Sequence, residues 1–451
     1  MSRFRPLDRA TDFLLPPSIQ EWLPEAHLAR YVVEVVEQLD LSALERAYAG
    51  RGYDAYHPAR LLSLLSYGYA TGTFSSRQIE RATYDSLAFR YIACTLHPDH
   101  DTLAHFRRRF GAEFESAFVQ VLQVARENPL SQFGTVSLDG IKIHANASKH
   151  SALSYGHAEQ IEAQLKAEVA ELLQQADAAD RSGLPEGMNL PDELARRETR
   201  LAAIAAAQDK IEARAQERFA HEQAEYEAKL RARQAQAAAT GKQPRGKEPQ
   251  PPPPGPRPED QVNLTDDDSR IMPLSGGGFE QGYNAQALVD TDSLRVLATR
   301  ITQAPNDKEP LQPMLAVVQA LPDGLTSPDC LLADNGFCSE ANIVACQAAG
   351  IQPLIALQRD THHPHWRERF SEPAPLASAA TPLETMAHAL QTRVGKAQYA
   401  LRKQTVEPVF GIIKAAMGFR QFLRRGLEHV TQEWTLVCLA WNLKRMAVLR
   451  P

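Results

Sequence analysis

Three carboxylates stand where the chain could hold them still: Asp139 after the apolar TVSL, Asp334 after CLLA, and Glu407 within YALRKQTVEPVFGIIK. Oxygen ligands of this kind hold Mg²⁺, and a pair of such ions can activate a water or a 3′-hydroxyl and stabilise the oxygen that leaves a phosphodiester. Magnesium needs only one or two carboxylates per ion, which leaves room for phosphate. Each acid also has a plainer reading. Asp139-Gly140 and Asp334-Asn335-Gly336 are turn sequences. Pro408 suits a first helical position, which puts Glu407 at or near a helix start, or at a kink.

Cations surround the third acid. Arg402, Lys403, Lys414, Arg420, Arg424 and Arg425 make a local positive patch in a chain whose net charge is −6, so any nucleic-acid surface has to be local. Lys414 lies seven residues beyond Glu407, two turns along the same helical face. A second cluster, Arg107, Arg108 and Arg109, ends PDHDTLAHFRRR; guanidinium forks match phosphate oxygens, and cations at a helix C-terminus also complement its dipole.

The elements that would position these groups are read from periodicity. From Ile19 to about Glu127 the apolar residues recur at helical spacing, as in ARLLSLLSYGYATG, which predicts a bundle of short helices. Ser75 and Gln78 have capping-box spacing, and another helix is expected after Asp101, a pattern compatible with a helix-turn-helix unit. QFGTVSLDGIKIHANAS alternates through Val136, Leu138, Ile141 and Ile143, which predicts one strand or two short ones around Gly140.

From His157 to Ala239 the texture turns to Ala, Glu, Gln, Lys and Arg. Two apolar stripes (Ile161, Leu165, Val169, Leu172, and Leu194, Leu201, Ile204, Ile211, Phe219) predict two long helices paired through RSGLPEGMNLPDE. GKQPRGKEPQPPPPGPRPED is expected to be a flexible or polyproline-like connector. Beyond it, GGFEQGYNAQALVDTDSLRVLATRITQ predicts a β-hairpin. An alternation of helix, strand, helix and strand from KEPLQPMLAVVQAL to IQPLIALQ then predicts parallel pairing. The α/β part thus begins at about Phe133, is interrupted, and resumes near Val262. In such a domain functional groups gather at the C-terminal ends of parallel strands, where Asp139 and Asp334 are expected.

Composition excludes several classes. Hydrophobic residues make up 43% and charged residues 23% of the 451, as in globular proteins. Cys94, Cys330, Cys338, Cys346 and Cys438 form no CxxC pair, so neither structural zinc nor a disulfide framework is expected. The opening MSRFRPLDRATDF lacks the apolar core of a signal peptide and no run of about eighteen apolar residues occurs, so neither secretion nor membrane spanning is expected. HHPHW, His362 to Trp366, has no second ligand pair at zinc-site spacing, and Gly276 to Gly278 lacks the rest of a phosphate-cradling loop. An aspartyl-phosphate phosphatase would need a second Asp two residues after the first, where Ile141 stands.

SLDGIKIHANASKH, NLTDDDSRIMPLSGGGFEQGYNAQALVD, LLADNGF and YALRKQTVEPVFGIIK, in this order, resemble DDE transposases of bacterial insertion sequences, in the IS1182 group of the IS4/IS5-like assemblage. HPARLLSLLSYGYATGTFSSRQIERA and PDHDTLAHFRRRF resemble the N-terminal helical domain of the same proteins, so the likeness runs nearly the whole chain.

The resemblance implies an α/β, RNase H-like catalytic domain, a mixed sheet with flanking helices. An all-α domain precedes it and a long helical hairpin interrupts it. Residues 1–130 would be the DNA-binding helices, 131–156 the first part of the catalytic domain, 157–240 the coiled-coil-like insertion, 241–261 the Pro-rich linker and 262–451 the remainder.

It further implies that Asp139 on the first strand, Asp334 after the fourth and Glu407 on the closing helix are catalytic, holding two Mg²⁺ ions with Mn²⁺ as a substitute. Tyr399, a basic residue and Lys414 complete the family's signature. The gap before Glu407 is one residue longer than its commonest form, which leaves Arg402 or Lys403 to fill the basic place. These residues, with Arg107, Arg108 and Arg109, would contact DNA. Gln281 and Asn284 belong to a shared segment beside the first Asp.

The expected activity is hydrolysis at the element's terminal inverted repeats followed by transfer of the freed 3′-hydroxyl to target DNA, by a homodimer in the bacterial cytoplasm at the nucleoid. The alternative is a non-catalytic DNA-binding or scaffolding protein derived from a transposase.

Overall fold

The computed structural model describes residues 18–450 apart from 49–54, 127–133, 183–188, 241–245, 274–276, 306–310, 323–324, 326–327, 358–371 and 377–379. Two compact units account for the chain. One comprises the residues up to His144 and those from Gly282 on, the other Ala145 to Gln281.

The first unit opens with short helices: α1 (Ile19–Trp22), α2 (Leu28–Val36), α3 (Ser42–Arg46), α4 (Pro58–Ala70), α5 (Ser76–Asp85), α6 (Leu87–Ile92), α7 (His100–Arg109) and α8 (Glu113–Arg126). α4 is buried on almost every side, from Leu61 to Ala70, as expected of a helix that is apolar all round. Ser75 does hold the N-cap position of α5, yet its side chain makes no capping bond, so the predicted capping box does not form. α7 starts earlier than expected, at His100, because the Asp99 carboxylate accepts the Thr102 N–H at 2.7 Å.

β1 (Thr135–His144) is one continuous ten-residue strand, unbroken at Gly140. The second unit comes next. In it β2 (Ala152–Ser154) leads into α9 (Tyr155–Ser182), and α10 (Leu190–Thr240) returns toward β3 (Gln261–Asn263), which pairs antiparallel with β2. Leu153, Ala158, Leu165, Ile204, Ala207, Ile211 and Val262 form its core, with Ile161 and Leu201 packed against it. Polar rungs fix the antiparallel register of the two helices: Tyr155 to Glu212 at 2.9 Å, Gln208 to Glu162 at 3.1 Å and Arg197 to Glu168 at 2.8 Å.

The described part of the Pro-rich stretch is not a free connector. Arg218 binds the Asp260 carboxylate at 2.7 Å and the Gly255 carbonyl at 3.2 Å, and Arg257 reaches back to Glu222 at 3.1 Å. The carbonyls of Pro258 and Asp260 also accept the N–H groups of Gly156 and Tyr155. Prolines donate no backbone hydrogen bonds, so the segment is held through its carbonyls and the arginines of α10. β4 (Arg270–Pro273) pairs with β5 (Phe279–Asp290), whose first three residues belong to this unit.

Back in the first unit, β5 and β6 (Val296–Thr302) form the predicted hairpin. α11 (Leu311–Gln319), β7 (Cys330–Ala333), α12 (Glu340–Ala348) and β8 (Gln352–Ile355) succeed one another in the predicted alternation. The sheet runs β6-β5-β1-β7-β8; β5 is antiparallel to its neighbours, while β1, β7 and β8 are mutually parallel. α13 (Pro382–Gln391), α14 (Arg393–Ala400), α15 (Arg402–Ala415) and α16 (Leu427–Leu449) complete the chain. α16 is buried along most of its length and packs on α4, α8 and β6, so the N-terminal helices and the sheet share one central helix. For that reason the helices before β1 do not separate from the α/β part as a compact unit of their own.

Candidate active site

Leu138 and Ala333 are the last parallel pair between β1 and β7. Asp139 follows on β1 and Asp334 directly after β7, so the two acids emerge side by side where the parallel ladder stops. Asp139 is therefore not at the end of its strand, as expected, but in the middle, just past the parallel part. Its Oδ1 accepts the Gly140 N–H at 2.8 Å. Asp334 caps the 3₁₀ turn Asn335–Phe337 by accepting the Gly336 N–H at 2.9 Å through Oδ1. Turn cap and candidate ligand are compatible, because a carboxylate has a second oxygen.

Glu407 comes from the other side, on α15. Pro408 lies inside this helix, so Glu407 is its sixth residue and not its start. The helix begins at Arg402, after a break at Leu401 that separates it from α14. The Arg402 side chain is 14% exposed and turned toward the strands, whereas Lys403 is exposed.

Arg402 holds the site together. Its Nη1 lies 3.3 Å from Asp139 Oδ2 and 3.6 Å from Glu407 Oε1. Burial works against its charge, but Asp139, the Tyr399 phenol and Asp334 more than compensate and raise its pKa. Tyr399 donates to the Ala333 carbonyl at 3.2 Å, next to Asp334. One tyrosine and one arginine thus tie α14 and α15 to β7 and β1 where their parallel pairing stops. Of Arg402 and Lys403, Arg402 is the one that contacts carboxylates, and Lys403 is exposed.

Lys414 donates to the Lys142 carbonyl at 2.8 Å, two turns along α15. Burial, and then Arg420, depress its pKa. The chain after α15 is fastened to the end of β1, where the His144 N–H binds the Arg420 carbonyl and the Phe422 N–H binds the His144 carbonyl.

The arginine cluster on α7 divides. Arg107 points inward, donating to the Tyr69 hydroxyl at 2.8 Å and the Phe74 carbonyl at 3.2 Å. Tyr69 in turn donates to Glu433 at 2.8 Å, and the second Glu433 oxygen accepts the N–H groups of Leu423 and Arg424 at 3.0 Å each. Arg107 is therefore a structural cation, a correction to its expected place on DNA. Arg109 binds the Ala47 carbonyl and lies over the rings of Tyr48 and Phe110. Arg108 is exposed. Of the patch around Glu407, Arg424 is also interior, bonded to the Arg107 carbonyl and to Gln432. The one hint of this network in the sequence is an acid, Glu433, at the head of the apolar run EWTLVCLAW.

Gln281 accepts from Ser269 at 2.9 Å within the second unit. Asn284 pairs in register with Lys142, on the sheet face opposite Asp139, and donates to the Ala304 carbonyl. HHPHW lies outside the described residues. Among the described residues no group of three or more His, Cys, Asp or Glu is gathered closely enough to hold a metal ion, and no helix is long and apolar enough to cross a membrane. All five cysteines are free.

Two protein families match the chain: Transposase domain (DUF772) over residues 17–109, and Transposase DDE domain over residues 373–447. The second match contains Tyr399, Arg402, Glu407 and Lys414; Asp139 and Asp334 lie outside it. No curated protein and no solved structure matches. The chain is thus similar to a transposase domain toward one end and to a transposase DDE domain toward the other.

Proposed function

We propose that this chain is a transposase that cuts and rejoins DNA at the ends of an insertion sequence of the IS1182 group, with Asp139, Asp334 and Glu407 as its catalytic carboxylates. The observation that carries the reading is the convergence on Arg402 of Asp139 and Glu407, with the Asp334 carboxylate close enough to stabilise the same guanidinium. An RNase H-like fold is supported by the placement of the acids: Asp139 lies on the first strand of the first unit's sheet, Asp334 directly after the fourth, β7, and Glu407 on a helix beyond the fifth.

The donor set suits a hard divalent cation, because it is all oxygen and already draws a guanidinium between two of its members. Asp139, Asp334 and Glu407 would hold two Mg²⁺ ions, or Mn²⁺ in their place. Such ions, when bound, supply a deprotonated nucleophile and neutralise charge on the leaving oxygen. The rest falls to the chain. β1 and β7 fix two acids on adjacent strands, α15 brings the third, and Tyr399 with Arg402 sets the helix against the strands. Lys403 and Arg108 are exposed and available to phosphates, and Lys414 braces the far end of β1. The helices around α5 and α7 would bind the terminal repeats. Two ends cut together call for a homodimer acting on DNA in the cytoplasm, at the nucleoid.

A duplex taken from the flanks of the encoding element, incubated with Mg²⁺, should be cleaved by the wild type and not by Asp139→Asn. Equal cleavage by both would remove Asp139 from the mechanism.

A further inference from the structure

We infer that Arg402 is an internal cation shared between two states of the site: without metal or DNA it closes Asp139 against Glu407, and when a divalent cation takes those carboxylates its guanidinium passes to a DNA phosphate, so that metal and DNA bind cooperatively. This rests on the reading of the three acids as metal ligands.

The geometry favours an exchangeable tie. Both carboxylate contacts are made through the same nitrogen, Nη1, at 3.3 and 3.6 Å, with no parallel two-bond fork to either acid. A guanidinium has five N–H donors, and its strongest partners are oxyanions, carboxylate or phosphate, that it can grip with two of them. The Asp139 side chain is 17% exposed and that of Glu407 53%, so the tie is sheltered at one acid and open to solvent, and to an incoming ion, at the other. A monovalent guanidinium and a divalent ion compete for the same two oxygens. Tyr399 hydrogen-bonds both Arg402 and the Ala333 carbonyl, which keeps the arginine at the rim when it gives up the acids. The other basic residues of the signature do not take part. Lys403 is exposed and Lys414 is bound to the Lys142 carbonyl. Because linkage is reciprocal, metal that frees Arg402 raises affinity for DNA by the factor by which DNA raises affinity for metal.

The test is Mn²⁺ titration of the full chain without DNA, monitored by electron paramagnetic resonance, for the wild type, Arg402→Gln, Arg402→Met, Lys403→Ala and Asp139→Asn, with folding checked by circular dichroism. Both neutral Arg402 variants should bind Mn²⁺ at least about fivefold more tightly than the wild type, while Lys403→Ala is unchanged. In a second measurement, fluorescence anisotropy with a short random-sequence duplex, the wild type should bind more tightly in Ca²⁺ than in EDTA at matched ionic strength. Folded Arg402 variants should lose that enhancement. Unchanged or weaker Mn²⁺ binding by the folded Arg402 variants overturns the inference, as does a wild type whose DNA affinity ignores the metal; this second arm stands even if the variants do not fold. Mn²⁺ binding that Asp139→Asn leaves intact, or that is absent throughout, overturns the metal reading and the inference with it. Weakening by Asp139→Asn without tightening in the Arg402 variants removes the inference alone.

Discussion

Arg402 and Asp139 stand 263 residues apart in sequence and 3.3 Å apart in space. The contact joins the first strand of the sheet to the helix that carries Glu407, and so closes the split part of the chain around its acids. Arg402 opens that helix three residues after Tyr399, whose hydroxyl fastens the preceding helix to the Ala333 carbonyl.

Tyr399 should be separable from Arg402 by a single atom. Tyr399→Phe removes the hydroxyl that donates to the Ala333 carbonyl and keeps the ring packed against Cys330, Leu332 and Leu354. The expected loss of global stability, read by urea denaturation, is about 1 kcal/mol. Strand cleavage should fall more than that loss accounts for, because Arg402 is less firmly held. A variant with the stability loss but full cleavage would limit Tyr399 to packing.

The α7 arginines give opposite forecasts. Arg107→Met removes the cation that acts on buried Glu433 through the Tyr69 hydroxyl, and should cost about 1–3 kcal/mol. Burial already raises the pKa of Glu433, so the cost should be greatest at neutral pH and shrink in acid, where the carboxyl takes up a proton. Arg108→Ala should change stability by less than about 0.5 kcal/mol and lower the salt dependence of DNA binding by about one contact. Unchanged stability with weakened DNA binding in Arg107→Met would return Arg107 to the surface.

In the second unit, acid should loosen the Pro-rich segment. Burial pushes the Asp260 carboxyl up, but the Arg218 guanidinium and the Arg257 N–H more than reverse this and hold it below the ordinary value of about 4. The stabilisation it contributes is therefore present above that value and is lost as pH falls through the lower folded-state value. Hydrogen exchange at the amides of Tyr155 and Gly156, whose acceptors are Asp260 and Pro258, should accelerate beyond its intrinsic pH dependence as the pH drops below about 4. Asp260→Asn should show weak protection at every pH. An identical pH response in the two proteins would exclude Asp260 as the anchor.

Much of this architecture is legible from periodicity alone. Period-two runs mark β5 and β6, and the alternation of short elements marks α11 to β8, because each pattern is local. What periodicity misses is non-local. Pro408 reads as a helix start, yet the helix runs through it from Arg402. Arg107 and Arg108 are equivalent as text. Only the distant Tyr69 and Glu433, 364 residues apart, tell which one is interior. Asp334 reads as either a turn or a ligand because a carboxylate with two oxygens can serve as both. The stripes of α9 and α10 mark the faces that meet, while the hold of Arg218 and Glu222 on the proline stretch depends on side chains far along the sequence.

Two glycines in different surroundings give the last prediction. Gly282 on β5 faces His144 across the antiparallel ladder, and a Cβ there would stand 2.7 Å from the Ile143 carbonyl oxygen. The acceptor is backbone in a paired strand and cannot move aside cheaply. Gly282→Ala should therefore part β5 from the end of β1 and cost about 1–3 kcal/mol in urea denaturation. His144 also bonds the segment Arg420 to Phe422, so exchange at the Phe422 amide should rise with it. Gly411, on an exposed turn of α15, meets nothing within 4 Å, and alanine is the better helix former. Gly411→Ala should be neutral or stabilise by up to about 1 kcal/mol. If the two substitutions had equal effects, the close approach at Gly282 would not be what holds β5 against β1.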